Sequence, residues 1–344
     1  MIQNLRANLW LIVLSLLMCC VLYPLMLLAV GQIAFSTSAE GSLIVDRNGQ
    51  TIGSRLIAQP FSGDQYFQPR PSAASYNAAA SGASNWGASN PQLRDRVAQS
   101  LGPIVKYAAG PNKDKLVGPD IEAWFKKDRF QDKPGIVAQW ADAHNTTAQN
   151  WVGTTFDPKS PTLQQQYVLD WEKTRPADIA RFKKDNPDKT DPAPSDLAIV
   201  FFKSLSKEHP GTFPSAQDHT VNGKTEKQIA LVSEGSDVQS WMFDMWLEAH
   251  PDAELQQVPG DLVMASGSGL DPDITLDGAE YQLDRVGGEW TKRANRDVRG
   301  EIEAMLQDHA TAPLGGLVGG KLINVLEMNL ALRDRYEPAG PAAK

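Results

Sequence analysis

Cysteine is almost missing from this 344-residue chain: the only two, Cys19 and Cys20, are adjacent in an apolar run, and none follows residue 20. A disulfide framework, a zinc–thiolate cluster and a thiol nucleophile are therefore excluded from everything beyond that run, which must be held by its own core. The five histidines, His144, His209, His219, His250 and His309, fit no metal-ligand spacing, and no serine sits in a nucleophile elbow. Positive charge is in deficit as well. A net charge of −8 argues against a nucleic-acid partner; acidity of this kind is what plain solubility produces, although cation attraction is compatible with it. Charge of either sign disappears altogether from residues 71–93, where 17 of 23 positions are Ala, Ser, Gly or Asn and Tyr76 and Trp86 are the only large side chains, against 22% charged residues in the whole chain. Such a segment builds no core alone and has too few apolar anchors for a membrane span. The aromatics and prolines just before it, Gln59-Pro-Phe61 and Gln65-Tyr-Phe-Gln-Pro-Arg-Pro71, point to ordered turns instead of a solvated tail.

One long hydrophobic run is present. Residues 9–35 are interrupted only by Ser15, Pro24, Gly31 and Gln32, and since about 20 apolar residues cross a bilayer, a single membrane span is expected. Arg6 precedes it, whereas Glu40 and Asp46 follow, which favours the N-terminus inside and the bulk of the chain outside. The competing reading is a cleaved signal peptide ending at Thr37-Ser38-Ala39, but the run exceeds the roughly 7–15 residues of a signal h-region. A lipoprotein anchor at Cys19 or Cys20 lacks the small residue needed before the modified cysteine. Either would still export the remainder. Tyr23-Pro24 is expected to kink the helix and, because the carbonyl freed by proline needs a neighbour in lipid, to pack against a partner's helices.

Further along, residues 41–57 alternate around Arg47-Asn48-Gly49, predicting a hairpin. Asn90-Pro91 followed by Leu93, Val97, Leu101 and Val105 predicts an amphipathic helix, with Asn90 as N-cap and Pro91 at its first position, stopping near Gly110-Pro111. From there to about His250 the composition turns Trp-rich and Lys/Asp-rich, holding six of the nine tryptophans. Helical spacing over 121–130, 135–143 and 162–182, with a Pro/Asp/Lys loop at 185–195, predicts a small helical subdomain. Lys183-Lys184 would suit lipid headgroups, but the neighbouring Asp185 and Asp188 make a solvated face the simpler account.

Two stretches imitate ligand loops. Residues 315–321, Gly-Gly-Leu-Val-Gly-Gly-Lys, have the glycine and lysine spacing of a phosphate-binding loop, but Leu322 stands where a magnesium-binding Ser or Thr belongs, and 302–309 read as a helix where that loop needs a strand. Residues 273–284 imitate a calcium loop through Asp273, Thr275, Asp277, Gly278 and Asp284. Glu280 replaces the usual apolar position, and Thr275 as the N-cap of a helix through Ala279, Leu283 and Val286 explains the same residues without a metal.

The run 59–91, QPFSGDQYFQPRPSAASYNAAASGASNWGASNP, resembles the signature of the C subunit of the Kdp potassium-transporting ATPase, a bacterial P-type pump complex. Tyr23-Pro24, Gly41-Ser-Leu-Ile44, Ser268-Gly-Leu-Asp-Pro272 and Asn324-Val-Leu-Glu-Met-Asn-Leu-Ala-Leu332 are similar to further family blocks in the same order. The resemblance covers residues 1 to about 108 and about 251 to 335, and leaves a middle block of about 140 residues that short family members lack. It implies an α+β protein: residues 1–36 a membrane helix with a short cytoplasmic end, 37–110 and 251–344 the two parts of a family-type extracytoplasmic domain, and 111–250 an inserted, mainly helical subdomain.

By the same resemblance the chain is a non-catalytic accessory subunit of a high-affinity potassium uptake complex in the cytoplasmic membrane. It would have no cofactor of its own, with ATP and potassium handled by the complex; its partners would be a potassium-conducting polytopic subunit, a P-type catalytic subunit and the lipid bilayer. The chain carries neither an aspartyl-phosphate motif nor a nucleotide domain, so hydrolysis belongs elsewhere. An assembly role and an aid to nucleotide binding are implied, the second only indirectly, because a domain outside the membrane cannot touch cytoplasmic ATP. The uncharged strip 72–90 suits a surface lying flat against a partner, with Tyr76, Asn77, Ser81, Gly82, Asn85, Trp86 and Asn90 as docking residues, since small side chains allow close approach at little desolvation cost. The alternative is that it threads through the protein's own fold as a buried irregular segment. An anchored extracytoplasmic binding or envelope protein on the same scaffold is the alternative function.

Overall fold

The computed structural model describes residues 2–45, 49–221, 224–317 and 319–337, so Arg47 and Asn48 of the expected hairpin turn and Val318 of the glycine-rich loop lie outside the described residues. The chain opens with helices α1 (Ile2–Leu16) and α2 (Tyr23–Ala34), joined by a π-helical stretch Leu17–Leu22, then one turn of helix, α3 (Ser36–Ala39), and a hairpin, β1 (Leu43–Val45) and β2 (Thr51–Ser54). Seven helices follow: α4 (Pro91–Leu101), α5 (Gly118–Phe125), α6 (Ile136–Ala143), α7 (Asn145–Val152), α8 (Leu163–Lys173), α9 (Pro176–Asp185) and α10 (Ala198–Glu208). A second hairpin, β3 (Phe213–Val221) and β4 (Lys224–Val232), leads into α11 (Ser236–Ala249). The chain then continues through β5 (Asp273–Thr275), α12 (Leu276–Ala294), α13 (Arg299–His309), β6 (Leu322–Asn324) and α14 (Val325–Tyr336). Among the described residues the named strands pair as three antiparallel two-stranded ribbons, β1–β2, β3–β4 and β5–β6. This is the mixed helix-and-strand composition expected. Two compact units result, Met1–Ser84 with Pro259–Lys344, and Asn85–Val258.

In the first unit, Asn4–Ala34 forms one candidate membrane span of 31 residues, none of its apolar window buried. Pro24 explains the π-helical stretch: its ring removes a donor and collides with the carbonyl one turn back, and widening Leu17–Leu22 absorbs the misfit. The core lies beyond the span, where α12, α13, α14 and the β5–β6 ribbon enclose Ile274, Leu283, Trp290, Ile302, Ile323 and Met328. Thr275 caps α12 by accepting from the Gly278 amide at 3.0 Å, and Asp277 occupies the first turn, so the calcium-like residues work as a helix start. A buried stripe at 278, 279, 282, 283, 286, 287 and 290 follows at helical spacing, and Asn295 closes the helix in the left-handed region at φ 53°. The loop 315–321 has helix α13 before it and strand β6 after it, the reverse of a phosphate-binding loop's order.

The most unusual feature of this core is an extended thread. Phe67 is fully buried without strand partners, and its amide and carbonyl are taken by the amide side chain of Asn329, both at 2.9 Å. Gln282 repeats the arrangement one residue on, accepting from the Gln68 amide at 2.8 Å and donating to the Gln68 carbonyl at 3.2 Å. Trp290 Nε1 donates to the Gln65 carbonyl at 2.7 Å, and Arg285 to the carbonyls of Asp64 and Tyr66 at 2.7 and 3.0 Å. Side chains of α12 and α14 thus supply the ladder that a neighbouring strand would otherwise give.

The second unit is helical around an aromatic centre. Trp140 meets Phe202, Phe213 and Trp241 edge-on with ring centroids 5.0–5.6 Å apart, and Trp151 stacks on Phe201. Helix α4 starts as expected, with Asn90 accepting from the Gln92 amide at 2.9 Å and Pro91 first in the helix. It ends at Leu101, well before Gly110, because Pro103 has no amide hydrogen with which to continue the ladder. The expected helix over 162–182 is broken at Arg175 by Pro176, which starts α9. Its beginning is a capping box between Thr162 and Gln165. The β3–β4 ribbon, paired over nine residues each side, adds strand to a region that was expected to be mainly helical.

Candidate docking surface

The uncharged strip runs over the surface and is neither disordered nor threaded through the interior. Ser72 anchors its beginning, donating to the Gly269 carbonyl at 2.6 Å and accepting from the amides of Ala74 and Tyr76. Tyr76 is half-buried; its hydroxyl donates to the Arg70 carbonyl at 2.9 Å, and burial pushes its phenol up from the ordinary value. Asn77 is exposed and accepts from the Ala79 amide through its side chain, closing a local turn. The Ser268 carbonyl then receives both the Gly82 amide at 2.9 Å and the Ser81 hydroxyl at 3.0 Å. Gly269, at φ 69°, is where the strip lies closest, since a side chain there would strike Ala74 and the Gly82 carbonyl at 2.8 Å. The Ser268-Gly-Leu-Asp-Pro272 block is therefore the bed of the strip, and the salt bridge Arg70–Asp271 at 3.1 Å fixes the strip's entry.

The division between the two compact units falls inside the strip, after Ser84. Tyr76, Asn77, Ser81 and Gly82 belong to the first unit. Asn85, Trp86 and Asn90 belong to the second, where Asn85 is exposed at φ 53°, Trp86 lies half-buried under the Arg96 guanidinium at 4.8 Å, and Asn90 caps α4. Ser75, Tyr76 and Asn85 all take left-handed backbone, a local strain that a strip without tertiary support would shed. Tyr23 and Pro24 are exposed on the candidate span.

A second constellation escapes sequence reading. Asp95 of α4, His144 between α6 and α7, and Asp244 of α11 bring one ligand atom each within 4.8 Å of one another, the one group among the described residues with the geometry to hold a metal ion. Its present contacts favour a clasp. The His144 ring lies between the carboxylates, Nδ1 3.3 Å from Asp95 and Nε2 3.7 Å from Asp244; Arg94 pairs with Asp244, and the Thr147 hydroxyl donates to Asp95. A guanidinium already on one carboxylate opposes a further cation. No periodicity marks these residues, because they converge only when α4, α11 and the α6–α7 junction pack together.

The family model described as KdpC, K+-transporting ATPase, c chain, matches residues 5–121 and 227–334. The chain belongs to the KdpC family. Among curated relatives, the potassium-transporting ATPase KdpC subunit of Pseudomonas syringae pv. tomato is 49% identical over 131 residues, covering 35% of this chain and 69% of the relative. That of Pseudomonas putida is 45% identical over 117 residues, 34% of this chain and 63% of the relative. That of Methanosphaerula palustris is 46% identical over 97 residues, 28% and 52%. Residues 122–226, which the family model leaves unmatched, fall within the expected insertion and contain α6 to α10 and β3. Of the clasp, Asp95 and Asp244 lie in matched sequence and His144 in the unmatched stretch.

Proposed function

We propose that this chain is a non-catalytic accessory subunit of an ATP-driven potassium uptake complex, crossing the cytoplasmic membrane once with its N-terminus inside and its two units outside. The observation that carries the reading is the family match on both sides of residues 122–226, which includes the span, the strip and its bed. Arg6 before the span and Glu40 after it support the orientation. The partners are the potassium-conducting polytopic subunit and the P-type catalytic subunit, and the residues 72–90, with Tyr76, Asn77, Ser81, Gly82, Asn85, Trp86 and Asn90, meet the former. Tyr23 and Pro24 pack against partner helices in the membrane. Potassium is the cargo and ATP the fuel of those subunits. Any influence on nucleotide affinity passes through transmembrane helices as a shift of a conformational equilibrium.

The test is purification of the full-length chain from native membranes in mild detergent. A P-type ATPase subunit and a potassium-conducting subunit should accompany it. Their reproducible absence in cells that express both overturns the reading in favour of an anchored extracytoplasmic binding protein. Tyr76→Ala should lower recovery of the partners while the chain still folds; unfolding without selective loss of partners would remove the strip as a docking surface.

A further inference from the structure

The first hairpin carries apolar residues on both faces: the cross-strand pair Ile44 and Gly53 is half-buried on one, while Leu43 and Val45 lie on the other, opposite Ser54 and Thr51. Ser42 and Ser54 are buried, whereas Leu43, Val45 and Leu56 are 51%, 57% and 62% exposed. An antiparallel ribbon in water turns its apolar residues to the core and its polar residues outward. The exposed apolar face has a definite position along the chain. Phe35, at φ −139° and ψ 42°, breaks the helix at the end of the span, and α3 turns back beside α2, where a Cβ on Gly31 would stand 3.6 Å from the Ala39 Cβ. Helix α3 closes in a Schellman motif, with Gly41 N on the Ser38 carbonyl at 3.1 Å, Ser42 N on the Thr37 carbonyl at 2.8 Å, and Gly41 left-handed at φ 85°.

That motif folds the chain back once more, so Ser42 sits beside Thr37, three residues past the end of α2. Strand β1 begins at the next residue, and the hairpin's base is fastened there by Arg55 N on the Ser42 carbonyl at 3.1 Å and by the Ser54 hydroxyl on the Gly41 carbonyl at 2.7 Å. Leu43 and Leu56 flank this base, and Val45 lies two residues further along the strand. The polar layer of a bilayer is about 5–7 Å deep on each side of its hydrocarbon core. The exposed apolar residues therefore begin beside the end of the span, within reach of the headgroup layer.

We infer that the β1–β2 hairpin is a membrane-surface foot: Leu43, Val45 and Leu56 sit in the interfacial layer of the bilayer and hold the first unit at a fixed height and orientation on the membrane. The inference rests on the membrane-spanning part of the function proposed above. A polar hairpin at the end of a single helix would leave the unit free to swivel; an apolar face beside the helix gives a second point of attachment, worth more the closer the two are fixed.

The experiment uses the full-length chain in phospholipid nanodiscs, with C19S and C20S removing the native thiols and single cysteines introduced by L43C, V45C or L56C to carry an environment-sensitive fluorophore. L25C in the span and D308C on the exposed end of α13 are the references. Quenching by nitroxide-headgroup lipid is compared with quenching by aqueous iodide. Labels at 43, 45 and 56 should lose emission to the headgroup nitroxide and resist iodide, while the label at 308 does the opposite. Iodide quenching at the three positions equal to that at 308 overturns the inference, as does protection from both quenchers, which would mean a protein surface covers them. If the label at 25 also escapes lipid-borne quenching, the membrane-spanning reading has failed; if it is quenched and the hairpin labels are not, only the foot has failed.

Discussion

The two compact units bury their interiors by opposite means. In the second, aromatic rings from helices and from Phe213 of β3 meet Phe202 at 4.9–5.7 Å, and backbone polar groups are consumed largely within the helices themselves. In the first, the helices enclose an extended thread, and four side chains, Asn329, Gln282, Arg285 and Trp290, satisfy its backbone one group at a time. The difference teaches where tolerance lies. An aromatic cluster accepts repacking as long as volume is kept, whereas a side-chain amide holding both an N–H and a C=O has a single substitute at best, since no other residue type offers a donor and an acceptor at that spacing except glutamine. Such residues are fixed by geometry, and Asn329 falls in the Asn324–Leu332 block that helps make the family recognisable.

The largest expected effect is on the aromatic side of this comparison. Phe202 is fully buried against Trp140, Trp151, Phe201 and Phe213, so Phe202→Ala should cost about 3–5 kcal/mol, read as a shift in the urea midpoint followed by tryptophan emission. Phe202→Leu should recover more than half of it. Equal losses for Ala and Leu would mean that ring geometry, and not volume, holds the second unit together.

On the other side, Asn329→Ala leaves the Phe67 amide and carbonyl buried and unpaired and should cost about 2–4 kcal/mol. Here the volume-conserving change gives no relief: Asn329→Leu should be at least as damaging as Ala. Hydrogen exchange of the amides at 64–68 is the readout, because the Phe67 amide bonds to Asn329 alone. Rescue by Leu would show that packing dominates in both units and would dissolve the distinction drawn above. Next in size is Gly269→Ala, which places a methyl in the left-handed region and against Ala74 and the Gly82 carbonyl. About 1–3 kcal/mol is expected, together with faster proteolysis within 72–84; unchanged cleavage there would mean the strip is not held by its bed.

What could be read in the sequence follows the same line. The caps at Asn90 and Thr275, the first hairpin and the membrane span are local, and each carries its signal in neighbouring residues. The extended thread was legible only as a motif, since Gln65-Tyr-Phe-Gln has no partner strand to predict and its clamps lie more than 200 residues away. The β3–β4 ribbon was not legible: from Gln217 to Gln228 its described residues are exposed on both faces, so no apolar alternation announces a strand. The clasp of Asp95, His144 and Asp244 was hidden for a different reason, because ligand spacing in sequence says nothing about residues delivered by two separate helices and the junction between two others.

The smallest effect concerns the C-terminal edge of the first unit, where charge does what the amides do inside. Glu301 of α13 accepts from Arg296, from Arg335 at 3.2 Å and from the Tyr336 hydroxyl at 3.1 Å, tying α14 to α13. The Arg296 guanidinium foremost, then Arg335 and Tyr336, hold its carboxyl down to about 2 from the ordinary 4.5. A depressed folded-state value means that the stabilisation is complete above the unfolded value and is lost as pH falls, here between about 4.5 and about 2. Glu301→Gln removes the titrating group, so the unfolding midpoint of the variant should vary less than that of the parent across that window and lie slightly below it at neutral pH. The carboxylate is solvated, which keeps the difference small and sensitive to salt. Identical acid limbs for the two proteins would show that the helix pair is held by its buried residues, Ile302, Leu306 and Leu332, and that at this edge the first unit behaves like the second.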